Sequence, residues 1–399
     1  MKKRGVVVRL AVVMLTAAYL IYMPGYVMEQ VQDSSTYRER LLKTENERYT
    51  GVITVWHIVG FKPYIGSLST WLGDVAKRVE KAHFGVFTEI TGMTNEEYEQ
   101  RVLRGERADV YSFPMGWGYA EQFLEMSVVG GASFAESVPF KGSLAACGTY
   151  GENGLGKPNL YAPPYAMSGY MLMVSTRYAQ ELGLEIPDGR ATAETLGIIE
   201  QGLRAWENTK KPASAFSVHG NAAVAVRLGV RQAMRDKEDF TAERTVALFC
   251  DVRAAGGMDR AYLSGKGVPT NAYAASGWTD LVQLMGVSRN IARDKLPYVA
   301  EFMQRLLQPE WQQTLSHIGL FPVCRFEGTQ PIYGRDELQS LYELLDTPQT
   351  PNAFAYSRYS AALNGAADEV LLAREHALKA FEERMKEVEY PLEINAEIQ

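Results

Sequence analysis

The run Val52-Ile53-Thr54-Val55-Trp56 opens the organised part of this 399-residue chain, and the segments after it decide the fold. Its β-branched side chains suit a buried strand. Over residues 71–83, Leu72, Val75, Ala76 and Val79 fall on one helical face, and residues 86–90 are strand-like again. Thr94 with Glu97 three residues later is a capping box, opening a helix through Tyr98 and Val102 to Leu103 that stops at Gly105. A third strand over 108–112 ends at Phe113-Pro114. Strands alternating with helices of this length predict an α/β fold with a parallel sheet and right-handed crossovers.

A second unit of the same style begins near Gly169, with a strand over 170–175 and helices over 193–206 and 221–234. The Gly- and Pro-rich stretch 148–164 between the two units marks a boundary. The last third reads as helical, at 297–307, 310–317, 335–345 and 368–388. Two domains are the expectation for a chain of this length.

Before residue 51 the composition changes. Lys2, Lys3, Arg4 and Arg9 precede an uncharged apolar run over 10–23, the order found in a secretory signal sequence. With Val6 to Val8 included, the run approaches the ~20 residues that a spanning helix needs. Gly25 is the one poor cleavage candidate, and no cysteine lies nearby to carry a lipid. Export is expected, with residues 1–28 a signal sequence or an uncleaved membrane anchor: an N-terminal hydrophobic helix whose basic end stays cytoplasmic while the remainder sits outside. The polar segment 29–50 reads as a stalk. With a net charge of −6 and scattered Lys and Arg, the chain lacks a basic footprint, and nucleic acid is not expected as a partner. Cys147, Cys250 and Cys324 are widely spaced and suggest neither a zinc site nor a disulfide framework. Buried free thiols are expected, with one bridge left open.

Ligands of an open parallel α/β sheet bind beyond the carboxyl ends of its strands, where the strand order reverses. That rule selects residues 56–67, after the first strand, and 113–119, after the third; both are aromatic and punctuated by glycine. Aromatic rings at such a rim stack on the apolar faces of sugar rings, while short polar groups read the hydroxyls. Trp56, Trp117 and Tyr64 are therefore candidates, and Gly66 and Ser67 precede a helix start whose N–H groups could face an acceptor on the ligand. The competing reading is that an aromatic residue at a strand end plugs the core. Clustering in two loops favours a ligand role for the two tryptophans, whereas Tyr64 is evenly balanced.

Four segments together resemble the extracellular solute-binding proteins of ABC-type importers, in their sugar-type family. They are Ile53-Thr54-Val55-Trp56-His57 with Gly66-Ser67; residues 104–112; Tyr161-Ala162-Pro163-Pro164-Tyr165 leading to Gly169-Tyr170; and Glu301-Phe302-Met303 through Trp311 to Gly319-Leu320-Phe321-Pro322-Val323. Their order and spacing follow the family over nearly all of 51–390. The resemblance implies a two-lobe, periplasmic-binding-protein-like class II fold with hinge crossings and a ligand cleft between the lobes. Lobe one would comprise 51–160 and 251–320, and lobe two 161–250 and 321–399. It places Trp56, His57, Phe113, Trp117, Tyr165, Tyr170, Asp259, Arg260, Trp278, Asp280 and Tyr356 at the cleft. It also implies a monomeric extracellular receptor, without cofactor or metal, that hands a small polar ligand, with a carbohydrate favoured, to the membrane subunits of an importer.

An enzyme reading lacks a constellation. His57, His83, His219, His317 and His376 sit in unrelated contexts, and no nucleophile-elbow, zincin or phosphate-loop pattern accompanies them. A secreted glycoside hydrolase is the remote alternative, because its paired carboxylates could come from anywhere in the fold. Among receptors, a peptide, anion or ferric-ion binder is the alternative, as is a ligand-sensing subunit of a signalling system. No adjacent Tyr-Tyr pair supports ferric ion.

Overall fold

The computed structural model describes residues 49–131, 134–152, 158–184, 189–206 and 211–389. The expected anchor, 1–28, and nearly all of the stalk lie outside the described residues. Among the described residues no helix is long and apolar enough to cross a membrane. The chain divides into a body, residues 52–82 and 87–399, and a small unit of residues 1–51 with 83–86, in which the Gly51 amide donates to the Gly85 carbonyl. The fold and site belong to the body.

The strands are β1 (Gly51–Ile58), β2 (Val86–Met93), β3 (Val110–Pro114), β4 (Thr149–Glu152), β5 (Pro158–Leu160), β6 (Pro164–Met167), β7 (Tyr170–Ser175), β8 (Ser214–Val218), β9 (Thr245–Asp251), β10 (Thr270–Ala274) and β11 (Val282–Val287). They build a five-stranded sheet of order β2-β1-β3-β11-β6, a four-stranded sheet of order β10-β7-β9-β8 and a β4-β5 hairpin within the Gly-Pro stretch. Parallel pairing, as expected, joins β1 to β3 and β8 to β9, but β11 runs antiparallel to both β3 and β6, and β7 antiparallel to β9. The sheets are mixed because β7 and β11 arrive from the other sheet, and a strand that does so is free of the crossover that makes βαβ strands parallel.

Helix α1 (Leu68–Ala82) buries Leu72, Val75, Ala76 and Val79, the apolar face read from the sequence, and starts three residues earlier than expected, adding Leu68 and Trp71 to that face. The capping box at Thr94 and Glu97 opens α2 (Asn95–Leu103) with both of its hydrogen bonds present. In the second half, α3 (Ala193–Arg204) lies where it is expected, but α4 (Ala222–Leu228) is half as long as the expected 221–234 helix. Gly229, at φ +118°, ends it, and the chain then runs back along β8, where the Met234 amide donates to Phe216 and accepts, at its carbonyl, from Val218. After α5 (Lys237–Thr241) and α6 (Val252–Leu263) come α7 (Leu296–Leu306), α8 (Pro309–Thr314) and α9 (Asp336–Leu344). The single helix expected over 368–388 is two, α10 (Ala353–Leu371) and α11 (Ala377–Glu389), separated by the positive φ of Ala373 and His376. Asn352 caps α10 by accepting from the Phe354 and Ala355 amides.

Sheet membership moves the crossings from where the sequence placed them. β6 still belongs to the first sheet, so the passage to the second lies at Ser168-Gly169 rather than at 161. β10 pairs with β7, so the return lies at 275–281 rather than at 251. β-hairpins and sheet pairing hold a strand to its neighbours irrespective of where composition shifts, and α6 with β10 therefore stays with the second sheet. The two passages touch: the Ser168 amide donates to Leu281, and the Thr279 hydroxyl to the Ser168 carbonyl. Trp278, expected at the cleft, is instead packed into this junction with only 2% of its surface exposed.

The first sheet carries a polar knot on the face covered by α1. Ser112 Oγ lies 2.7 Å from both His57 Nδ1 and the Tyr165 hydroxyl, and Gln283 Nε2 donates to Ser112 Oγ and to the Ile58 carbonyl. His57 and Tyr165 were expected in the cleft, but both lie inside the sheet's packing, and Tyr165 stacks on Trp71 at an interplanar angle of 7°. Burial lowers the imidazole from 6.5 to about 4. Between those values the unfolded chain takes up a proton that the folded one refuses, so stability rises with pH across this window. From pH 7 down to 4 this one residue should cost roughly 3 kcal/mol. His57→Gln should flatten that segment of the urea-unfolding profile; a profile left unchanged would put the imidazole in contact with water.

Candidate functional site

Three of the expected cleft residues converge. Asp280, on the return passage, accepts from the Tyr170 hydroxyl (2.6 Å), the Tyr356 hydroxyl (2.7 Å) and Asn221 Nδ2 (2.5 Å). Asn221 caps α4, its Oδ1 accepting from the Ala223 amide, and this bond aims its Nδ2 at Asp280 and at the Tyr356 hydroxyl. Burial first, and then the neighbouring Asp280 carboxylate, raise both phenols well above their ordinary range, so each stays a donor.

This cluster forms one wall of a recess of about 360 Å³. Met115 and Gly116, just past β3, close it from the first-sheet side; Gly220 and Asn221, just past β8, face them from the second. Gly116 has φ +83°, and a Cβ there would meet the Tyr356 ring at 3.1 Å, so the close approach of this loop requires glycine. Ser360 and Asn364 of α10 complete the lining with Arg235, which holds the rim by donating to the Val218 and Gly220 carbonyls. Among the described residues Asn364 Oδ1 is a buried acceptor with no partner. A buried acceptor left unpaired is costly, and a donor from a ligand hydroxyl satisfies it.

A second cluster joins Tyr64, Asp259 and Arg260. The Tyr64 hydroxyl donates to Asp259 at 3.1 Å and accepts from Arg335 at 2.8 Å, while Arg253 and Arg260 both donate to the Tyr64 carbonyl. Arg335 also pairs with Asp259 and with Glu337. The Tyr64 ring lies against Gly256 of α6, where a Cβ would clash.

The remaining expected residues lie elsewhere. Trp56 is 5% exposed, its ring held edge-on by Tyr98 and Tyr111 on the face of the first sheet covered by α2. It precedes the end of an interior strand, and a side chain there is covered by the helix layer; only residues past the strand end reach the crevice. Phe113 is fully buried for the same reason and stacks on Phe123. Trp117 is half-buried, donates to Asn95 Oδ1, and lines a separate recess of about 220 Å³ with Tyr98 and Arg289. Gly66 and Ser67 line a groove between α1 and α8, on the outer side of the first sheet. Sequence reading missed Asn221, Asn364 and Arg253. The first had a signal: Asn before the apolar run 222–226 is an N-cap pattern, which places its side chain at a helix entrance.

Solved structures share this fold at low sequence identity. The cyclic alpha-maltosyl-1,6-maltose binding protein of Arthrobacter globiformis is similar at 13% identity and a TM-score of 0.61, covering 86% of this chain and 98% of its own. An ABC substrate-binding protein of Listeria monocytogenes, in complex with cycloalternan, matches at 12% identity and 0.53, over 85% and 98% of the two chains. A Streptococcus pneumoniae solute-binding protein, in complex with the blood group A-trisaccharide, matches at 12% and 0.54, over 84% and 99%. The fold is therefore the class II periplasmic-binding-protein type. No family model matches the chain, and no curated protein matches it in sequence.

The placement of the two tryptophans has a direct check in urea unfolding. Trp56→Ala should cost 3–5 kcal/mol, the range of a large core truncation, and Trp117→Ala clearly less, about half as much. Equal losses would contradict the burial difference.

Proposed function

We propose that this protein is an extracellular solute receptor that captures a carbohydrate between its two sheet-and-helix halves and delivers it to an ABC-type importer. The observation that carries the reading is the recess at Asp280, where loops past β3 and β8 face each other across short, fixed polar side chains. Asn221, Asn364, Ser360 and Asp280 offer both donors and acceptors, as hydroxyl-rich ligands demand, and Asn364 Oδ1 is unpaired. The fold supports it further, because the similar structures include receptors bound to oligosaccharides.

The acids support capture over hydrolysis. Among the described residues lining the recess, Asp280 is the sole carboxylate, and its lone pairs are engaged by three donors, whereas glycoside hydrolysis ordinarily needs two carboxylates across the scissile bond. The adjoining passages at Ser168-Gly169 and 275–281 serve as the hinge about which the halves close, coupling occupancy to a shape that membrane subunits sense. The apolar N-terminal segment supplies export and, if retained, a tether to the outer face of the membrane.

Thermal shift against a panel of oligosaccharides tests this. A sugar at 100 times its dissociation constant should add about 2.7 kcal/mol of stability. Asn364→Ala should remove that gain and lower the melting of the unliganded protein only modestly, through loss of its side-chain bond to Tyr356, because its Oδ1 has no partner among the described residues. Retention of the full gain by the variant would move the ligand away from this recess.

A further inference from the structure

The second half carries another recess, about 460 Å³, on the other side of the turn that follows β8. His219 lines it, while the next two residues, Gly220 and Asn221, line the Asp280 recess. Asp251, at the end of β9, also lines it and pairs in register with Tyr170, whose hydroxyl is bound to Asp280. The two recesses therefore open at the same end of the second sheet.

Its charge is unbalanced. Lys237, Arg253 and Arg260 line it against a single carboxylate, Asp251, whose Oδ1 is engaged by the Ala254 amide. Among the described residues none of the three cations forms an ion pair, although ion pairs are plentiful elsewhere on the protein. Arg253 and Arg260 lie two turns apart on α6 and aim at one neutral atom, the Tyr64 carbonyl oxygen, at 3.1 and 3.2 Å. Two guanidiniums brought to a single uncharged acceptor repel one another, and an anion between them and Lys237 would relieve that. Tyr64 belongs to the loop past β1, so the excess positive charge sits where the two halves meet.

We infer that the ligand is anionic: an acidic oligosaccharide whose neutral hydroxyls are held at Asp280 and Asn364 and whose carboxylate or phosphate is held by Arg253, Arg260 and Lys237. This rests on the carbohydrate reading above. It adds a requirement for charge that the Asp280 recess alone does not impose.

The experiment is calorimetric titration of the purified protein with trigalacturonic acid, its fully methyl-esterified form, maltotriose and a hexose phosphate, at low and at moderate salt. The acid or the phosphate should bind at least tenfold more tightly than the neutral compounds, and added salt should narrow the difference; which of the two wins identifies the anion. Arg253→Ala and Lys237→Gln should each weaken the anionic ligand several-fold and leave neutral ones untouched. Among the described residues the Lys237 amine makes no hydrogen bond, so its substitution separates charge from folding. Equal affinity for the acid and its methyl ester, unchanged in both variants, overturns the inference and leaves the carbohydrate reading standing. Binding of no carbohydrate of either kind overturns both.

Discussion

Asp280 sits on the segment that carries the chain back from the second sheet to the first, and its carboxylate gathers a phenol from β7, a phenol from α10 and the capping amide of α4. Charge-assisted hydrogen bonds of this kind are short and strong, and three of them on one group fix the positions of elements far apart in sequence. Loss of the carboxylate would leave two buried phenols without their acceptor, the expensive half of hydrogen-bond energetics. The recess therefore has its shape because one acid gathers three donors, and the proposed sugar meets side chains already held in place.

Around that point the chain passes between sheets twice in contact, at 168–169 and 275–281, and Trp278 fills the junction. In the proposed closure, these short segments with a buried indole between them would confine motion to a few backbone dihedrals. Gly169 is tightly enclosed there, since a Cβ would press on Leu341 and Leu345 of the α9 region.

How much of this was legible beforehand follows from the range of each signal. Periodicity is local, and it located α1, α2, α3 and the strands β1, β3 and β7 closely. Sheet membership is not local: β6 and β10 carry no mark in their sequence of which sheet they join, and the lobe boundaries shifted accordingly. The same distinction separates the site residues. Tyr170, Asp280 and Tyr356, reached by family resemblance, do meet. Trp56, His57, Phe113 and Tyr165 follow the rule of strand ends only loosely, since each precedes the true end of its strand or lies within one, and there the covering helices exclude water. Large aromatic rings attract attention as platforms, yet the recess is lined chiefly by small and polar groups. The left-handed breaks at Ala373 and His376, at non-glycine residues, gave no compositional warning and hid the boundary between α10 and α11.

Capture between the halves requires a ligand held from both sides at once. Hydrogen exchange of the purified protein with and without a bound oligosaccharide measures that directly. Protection should rise together in residues 115–118, past β3, in 219–222, past β8, and in the passage 277–281. A ligand that binds while protecting only one of the two loops, or neither, would contradict capture between the halves.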